Sequence, residues 1–231
     1  MRLLLGFLLA TLSLSSFAQA PEVRVPAALH TGDVDAAMGV LARDVAKAYR
    51  DDDRARYLAT LFRLQLVTGQ YAQAIDSIET LRRLRNDPAS QPPLYLQYEV
   101  HARARALQVR DRIEYAPAWR RAFAERFGAL DDRTALQAEF SFGTSPVRLR
   151  GELDAALAKV AGRRTLPLPE AIDLLRAYQV HAAYAAFQPL VVAAVETDDA
   201  RRYRIDRDVL VTTPDGARIA ALVVRPMTAP P

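Results

Sequence analysis

Residues 55–88 read ARYLATLFRLQLVTGQYAQAIDSIETLRRLRNDP, and this stretch decides the fold class. Apolar residues recur every three or four positions in both of its halves, which places them on one face of a helix. The first half predicts a helix that ends at Thr68 and Gly69, and the second predicts a helix through Ile78 and Leu81. A loop should follow from Asn86 to Pro93, because proline cannot continue a helix. The stretch therefore predicts two helices joined by a short turn.

The same spacing continues on both sides of this stretch. Upstream, Asp33 is placed to cap a helix that carries Met38 and Leu41 on one face, and the acidic run 51–53 separates that helix from the next. Downstream, further stripes begin at Tyr95, Trp119, Leu149 and Ile172, with Gly128 and Gly162 as helix ends. The body is therefore expected to be a mostly α, antiparallel helical array.

Residues 180–195 form an apolar run, and apolar runs can cross membranes when they are long enough. His181, Gln188 and Pro189 interrupt it, and it is shorter than the roughly 20 apolar residues that a spanning helix needs. We expect a buried helix there, with no stable membrane insertion.

Residues 55–88 also resemble one tetratricopeptide-type unit. Leu58 and Leu61 occupy the first helix, and Gly69-Gln70-Tyr71 followed by Ala74 stands where such repeats turn into their second helix. No clean second copy is found at the expected spacing of about 34 residues. The array is thus partly tetratricopeptide-like, and a simple antiparallel helical hairpin is the alternative.

The chain changes character after Asp198 and Asp199. Apolar residues then alternate with polar ones from Tyr203 to Asp208, and Val209 and Val211, then Ile219, Ala221 and Val223, recur at every second position. Between these runs, Thr213-Pro214-Asp215-Gly216 is a turn sequence, with proline and glycine at the positions that favour them. The pattern predicts a β-hairpin. A hairpin of two strands is marginal without further strands or a helix beneath it. Either it lies on the helical body, or its sheet continues in sequence that this chain lacks, and we favour the second.

Residues 209–226, VLVTTPDGARIAALVVRP, resemble the opening hairpin of the CocE/NonD hydrolases, α/β-hydrolases related to Xaa-Pro dipeptidyl-peptidases. The likeness lies in the spacing from Asp215-Gly216 to Arg225-Pro226. It implies that a catalytic sheet follows, with a serine, a histidine and an aspartate that cleave ester or amide bonds. The helical segment before it is similar to an extension that some secreted members carry.

Residues 1–20 have the features of a secretory signal peptide. Arg2 provides a positive start, an apolar run follows from Leu3 to Leu12, and Ala18-Gln19-Ala20 matches a cleavage site. The mature chain should begin at or near Pro21, in a bacterial periplasm or outside the cell. No cysteine follows the cleavage region, which excludes a lipoprotein anchor.

Composition excludes several other classes. The chain has 231 residues, 51% of them hydrophobic, with a net charge of +4 and no cysteine. It is therefore not a disordered chain, and disulfides and cysteine chemistry are excluded. We expect no cofactor and no metal.

No residue of this chain is expected to be catalytic. Ser145 lies in the nearest match to a nucleophile motif, but the motif's last glycine is missing and a helix start is the better interpretation. His30 should be a surface residue, and His101 and His181 each stand alone on a predicted helix, without a partner four residues away.

Charge clusters have structural explanations as well. The three aspartates of 51–53 and the two of 131–132 stand at predicted helix starts, where carboxylates cap free N–H groups. The arginines within 82–85 and 201–207 are interleaved with acids and lack an aromatic stacking platform. Nucleic acid is therefore not an expected partner.

Two functions remain open. The first is the exported N-terminal helical region of a serine hydrolase: a signal peptide over 1–20, a helical domain over 21–197, and the start of an α/β-hydrolase domain over 198–231. Its partner would be the downstream hydrolase domain of the same polypeptide, and the chain alone would not be catalytic. The alternative is a complete periplasmic helical-repeat protein that binds peptides or partner proteins.

Overall fold

The computed structural model describes residues 21–88 and 91–227, so the predicted signal peptide lies outside the described residues. Helices dominate, as expected from the apolar spacing. They are α1 (Ala27–His30), α2 (Val34–Ala48), α3 (Arg54–Val67), α4 (Tyr71–Leu84), α5 (Leu96–Asp111), α6 (Tyr115–Phe127), α7 (Asp132–Glu139), α8 (Pro146–Val160) and α9 (Leu168–Arg202). The strands are β1 (Glu22–Arg24), β2 (Thr165–Pro167), β3 (Tyr203–Thr212) and β4 (Arg218–Pro226).

Short polar side chains begin four of these helices. Carboxylate oxygens of Asp33, Asp53 and Asp131 accept hydrogen bonds from backbone N–H groups of the first turns of α2, α3 and α7. The Ser145 hydroxyl accepts one from the backbone of Arg148, 3.5 Å away, at the start of α8. The predicted helix starts are therefore confirmed, and each cap satisfies donors that the helix leaves free.

Glycine ends helices here in two different ways. Gly69 and Gly162 follow α3 and α8 with φ of 77° and 74°, the left-handed conformation that glycine adopts without strain. Gly128 also ends its helix as predicted, but its φ of −58° is right-handed. A methyl group there would lie 2.7 Å from the carbonyl oxygen of Ala124, so crowding rather than conformation requires glycine.

Helix α9 is the central helix of the helical body. It is 35 residues long, continues through Pro189, and packs against α2, α3, α5, α6 and α8. Its apolar middle is only partly buried, because Tyr184 and Phe187 face the core whereas Val192 is exposed. The expectation of a wholly buried segment is therefore too strong.

The strand begins at the residue where the predicted alternation begins, whereas the predicted boundary at residue 198 falls inside α9. Helix α9 continues past Asp198 and Asp199 to Arg202, and the strand begins at Tyr203. An ion pair between Asp198 and Arg202, which stand four residues apart on one face, stabilises this last helical turn.

A small sheet that the sequence does not predict joins the first described residues to the connection between α8 and α9. Strands β1 and β2 pair antiparallel, with Val23 opposite Leu166, and both of these side chains are buried. The backbone N–H of Leu168 donates to the carbonyl oxygen of Pro21 over 2.8 Å. The first described residues are thus bound beside the start of α9.

The core has an aromatic and an aliphatic part. Trp119, Phe123, Phe127, Phe142 and Phe187 stack around the middle of α9. The second part packs α2, β1, β2 and the first half of α9 together through Met38, Leu41, Val45, Leu166 and Leu174.

Candidate functional site

The sequence candidates for nucleophile and base do not meet in one site. Ser145 caps α8, and His30 is exposed at the end of α1. His101 is buried, and its Nδ1 lies 2.7 Å from the hydroxyl of Tyr115. His181 is half-buried on α9. Among the residues that the structure describes, no cluster of His, Asp and Glu could hold a metal ion.

The C-terminal hairpin is apolar on both of its faces. From the strand register, one face carries Val209, Val211, Ile219, Ala221 and Val223, and the other carries Ile205, Leu210, Ala220, Leu222 and Val224. Leu210, Ile219 and Leu222 are 53%, 54% and 59% exposed. Strands with apolar residues on both faces are typical of sheets that are covered on both sides.

The edges of this hairpin are also free within the described structure. Strands β3 and β4 pair with each other and with no other described strand, so each has an unpaired outer edge. An extra residue between Asp206 and Val209 forms a β-bulge. The hairpin extends from the body with a continuous apolar surface and two edges on which further strands could form.

A buried arginine holds the root of the hairpin to the helical body. Arg202 pairs with Asp198 and with Asp132, whose Oδ1 is 2.8 Å from Nη1. Its guanidinium also donates to the carbonyl oxygens of Phe127 and Leu130 at the end of α6. Its own carbonyl accepts from the backbone N–H of Met227, 2.7 Å away, after β4. One residue thus ties together both strands, α6, α7 and α9.

An apolar cleft of about 560 Å³ adjoins this root, between α6 and α9. Phe123, Ala124 and Ala194 line its apolar part, and Arg201 and Asp198 stand at the end toward the hairpin.

A larger groove of about 830 Å³ lies between the start of α9 and α3. Leu64, Ile172 and Leu175 form part of its apolar wall. Two of its arginines are neutralised: Arg56 pairs with Asp51 over 2.9 Å, and Arg176 pairs with Asp173. Hydrogen bonds from Arg56 lower the pKa of Asp51 to about 2, so this carboxylate is charged at neutral pH.

Two other arginines of the groove, Arg50 and Arg63, make no ion pair with a described carboxylate. Arg63 is held in place by aromatic rings, with its guanidinium carbon 4.7 Å from the ring centre of Phe62 and 5.2 Å from those of Tyr95 and Tyr98. Its Nη1 donates to Oε1 of Gln179 over 2.8 Å. The groove therefore combines an apolar wall with an oriented positive charge, which suits a carboxylate on an apolar ligand.

The orientation of Arg63 could not be predicted from the sequence, because its aromatic contacts join α3 to Tyr95 and to Tyr98 at the start of α5. The position of Gln179 in the sequence does indicate a buried hydrogen bond. It stands in line with Ile172 and Leu175 on the apolar face of α9, where an amide needs a buried partner.

No protein-family model, no curated protein and no solved structure matches this chain. The resemblances to the hydrolases and to a tetratricopeptide unit therefore stay predictions. In the described part of the chain, no helix is both long enough and apolar enough to cross a membrane.

Proposed function

We propose that this chain is the N-terminal helical region of an exported serine hydrolase and that its hairpin forms the first two strands of the catalytic sheet. The observation that carries the proposal is the hairpin's apolar surface, which is exposed on both faces. A strand pair of this kind becomes stable when further strands and covering helices bury it.

The helical body would orient the catalytic domain rather than supply its chemistry. Arg202 fixes the direction of the hairpin relative to α6 and α9, so a sheet built on β3 and β4 would have a defined position on the body. The hydroxyl of Ser145 and the ring of His101 are already engaged in structural hydrogen bonds. The nucleophile, the base and the oxyanion donors are assigned to the downstream domain.

Export follows from the leader at residues 1–20 in this proposal. The helical body would then fold in the periplasm or outside the cell, where ester, amide or Xaa-Pro peptide bonds are the substrates that the family resemblance implies.

The size of the native product tests this proposal directly. An antibody against residues 21–231 should detect a band well above 25.6 kDa in an extract of the source organism. A fluorophosphonate probe, which labels active serine hydrolases, should label the same band. A native band at or just below 25.6 kDa would contradict the proposal, as would a larger band that the probe never labels.

A second experiment tests the hairpin surface in the purified chain 21–231. The double variant Leu222→Thr/Val224→Thr removes two exposed apolar side chains and should markedly reduce the binding of a hydrophobic dye. The matched control is Val109→Thr/Leu136→Thr, which changes exposed apolar residues on α5 and α7. An equal loss of dye binding in both variants would contradict the assignment of the main exposed apolar surface to the hairpin.

The groove supports a second candidate, a helical protein that binds peptides. Arg63 would bind a peptide carboxylate while Leu64 and Ile172 contact apolar side chains. The replacement Arg63→Gln should weaken peptide binding at least tenfold, whereas Arg54→Gln on the same helix should not. Peptide binding together with a native band near 25.6 kDa would favour this function over the first.

A further inference from the structure

The two outer edges of the hairpin differ in how well they can accept a further strand. The bulge belongs to β3, which has one more residue than β4 between the pairs Asp206–Val223 and Val209–Ala221. The same part of β3, residues 204–208, carries charges of both signs. Bulges and charged side chains protect an edge strand against pairing. The outer edge of β3 is therefore poorly suited to a further strand.

The outer edge of β4 has no extra residue and carries an arginine near each end. Six uncharged residues, 219–224, separate Arg218 from Arg225, and both arginines are exposed. Pro226 follows and has no N–H group to donate, so the edge that can pair runs over 218–225. This edge offers an apolar stretch between two positive charges that stand seven positions apart.

Neither arginine has a counter-charge directly opposite it within the hairpin. Arg218 stands opposite Thr212, and Arg225 stands opposite Arg204, which is a like charge. A diagonal neighbour, Asp206, lies 3.9 Å from Arg225. Because opposite charges on neighbouring strands stabilise a sheet, acidic side chains opposite both arginines on the outer side would supply the missing counter-charges.

A second copy of this chain does not fit the same edge. Two β4 strands that pair antiparallel over 218–225 would place Arg218 of each copy opposite Arg225 of the other. Like charges that stand directly opposite each other destabilise a strand pair. The edge therefore favours a strand that differs from β4 in charge.

We infer that the next strand of the sheet pairs with the outer edge of β4 and carries two acidic residues, seven positions apart, opposite Arg218 and Arg225. Its middle would be apolar on both faces, like residues 219–224, because the sheet would be covered on both sides. The inference rests on the proposed function for the source of this strand, which is the downstream part of the same polypeptide. The charge pairing is a property of β4 itself, so the chain 21–231 can be used to test it.

Two labelled peptides with neutral, blocked ends test the charge pairing. EVTVTVTE has glutamates seven positions apart, and KVTVTVTK differs from it only in charge. Fluorescence anisotropy with the chain 21–231 should show saturable binding of EVTVTVTE, about tenfold tighter than that of KVTVTVTK. This preference should decrease in about 1 M salt, because the arginines are exposed. Equal binding of the two peptides, or no binding of EVTVTVTE, would overturn the inference.

Charge reversal then locates the binding. The double variant Arg218→Glu/Arg225→Glu should prefer KVTVTVTK, which is a gain of binding that a misfolded hairpin would not show. The control Arg207→Glu/Arg120→Glu changes the net charge equally, at exposed positions of β3 and α6, and should keep the preference for EVTVTVTE. A reversed preference in the control, or an unchanged one in the β4 variant, would contradict the assignment to β4.

The full-length native product tests the source of the strand, because its own strand would already occupy the edge of β4. This product should bind neither peptide, and binding of EVTVTVTE to it would overturn the inference. A native band near 25.6 kDa together with selective binding of EVTVTVTE would contradict the proposed function and the downstream source, but not the charge pairing. A much larger native band together with equal binding of both peptides would contradict the charge pairing alone.

Discussion

Glu99 illustrates how much a single residue can determine in this protein. Its side chain is fully buried, and its carboxylate lies within ion-pair distance of Arg82, Arg103 and Arg126. Burial alone would raise the pKa of Glu99, but the charges of Arg82 and Arg126 outweigh it and the pKa is lowered. The carboxylate therefore stays charged and joins α5 to α4 and α6.

Replacing Glu99 with Gln should destabilise the fold by about 3 kcal/mol, because the mostly buried Arg82 loses its close counter-charge and keeps only Asp87, 4.0 Å away. A lowered pKa stabilises the folded state above the pKa of the unfolded chain, about 4.3, and this stabilisation is lost as the pH falls through the folded value. The difference in unfolding free energy between wild type and variant should thus be greatest at pH 7 and should decrease below a pH of about 4. Urea unfolding from pH 7 to pH 3 measures it.

Glu125→Gln is the control for this experiment. Glu125 pairs with Arg121 on the surface, so its loss should cost less than about 1 kcal/mol at any pH. A similar loss of stability in both variants would mean that the buried ion pairs of Glu99 stabilise the fold no more than a surface ion pair does.

Residue roles of this kind were only partly predictable. Asp33, Asp53 and Asp131 could be assigned as caps because a cap depends on the next three residues of the chain. Two of the three partners of Glu99, Arg82 and Arg126, come from α4 and α6, and the partner of Gln179 comes from α3. These contacts depend on packing that spacing does not specify.

At the scale of elements, α9 raises the question of how a helix continues through a proline. Pro189 lies inside α9 and is exposed, so it removes a backbone hydrogen bond without contributing to the core. The packing of residues on both sides, such as Tyr184, Phe187 and Ala194, keeps the helix continuous.

Replacing Pro189 with Ala should therefore stabilise the protein, since proline is about 3 kcal/mol less favourable than alanine inside a helix. Because packing already compensates part of this cost, we expect a gain of about 1–2 kcal/mol. Thermal unfolding measures it, with Glu196→Ala, at another exposed position of α9, as the control. A loss of stability would show that the proline has a role in the packing of α9.

The sequence predicted the elements with strong periodicity and missed those without it. Strands β1 and β2 have three residues each, too few for an alternating pattern, and each is stabilised by pairing with the other. The turn at Asp215-Gly216 was readily predicted, because Gly216 adopts a φ of 85° that few other residues tolerate.

At the scale of the whole molecule, the hairpin and the helical body contribute unequally to the free energy of unfolding. The described contacts of the hairpin with the body lie at its root, around Arg202, Tyr203 and Met227. Most of its apolar side chains bury little surface, so the hairpin should contribute little to the stability of the body.

A chain that ends after Tyr203 should therefore unfold within about 4 °C of the chain 21–231, which corresponds to a loss of about 1 kcal/mol at this size. Its binding of a hydrophobic dye should fall sharply. A much larger drop in melting temperature would show that the hairpin is part of the body's core.

The pairing of β1 with β2 has a consequence for the order of events during biogenesis. Pro21 is hydrogen-bonded to Leu168, so the proposed cleavage point after Ala20 lies directly against the finished body. A leader peptidase needs an extended stretch on both sides of the bond that it cuts, and the closed β1–β2 pair leaves none on the mature side. Since β2 is made only after eight of the described helices, the proposed export and cleavage would take place while β1 still lacks its partner. Cleavage of the leader would thus come before the pairing of β1 with β2.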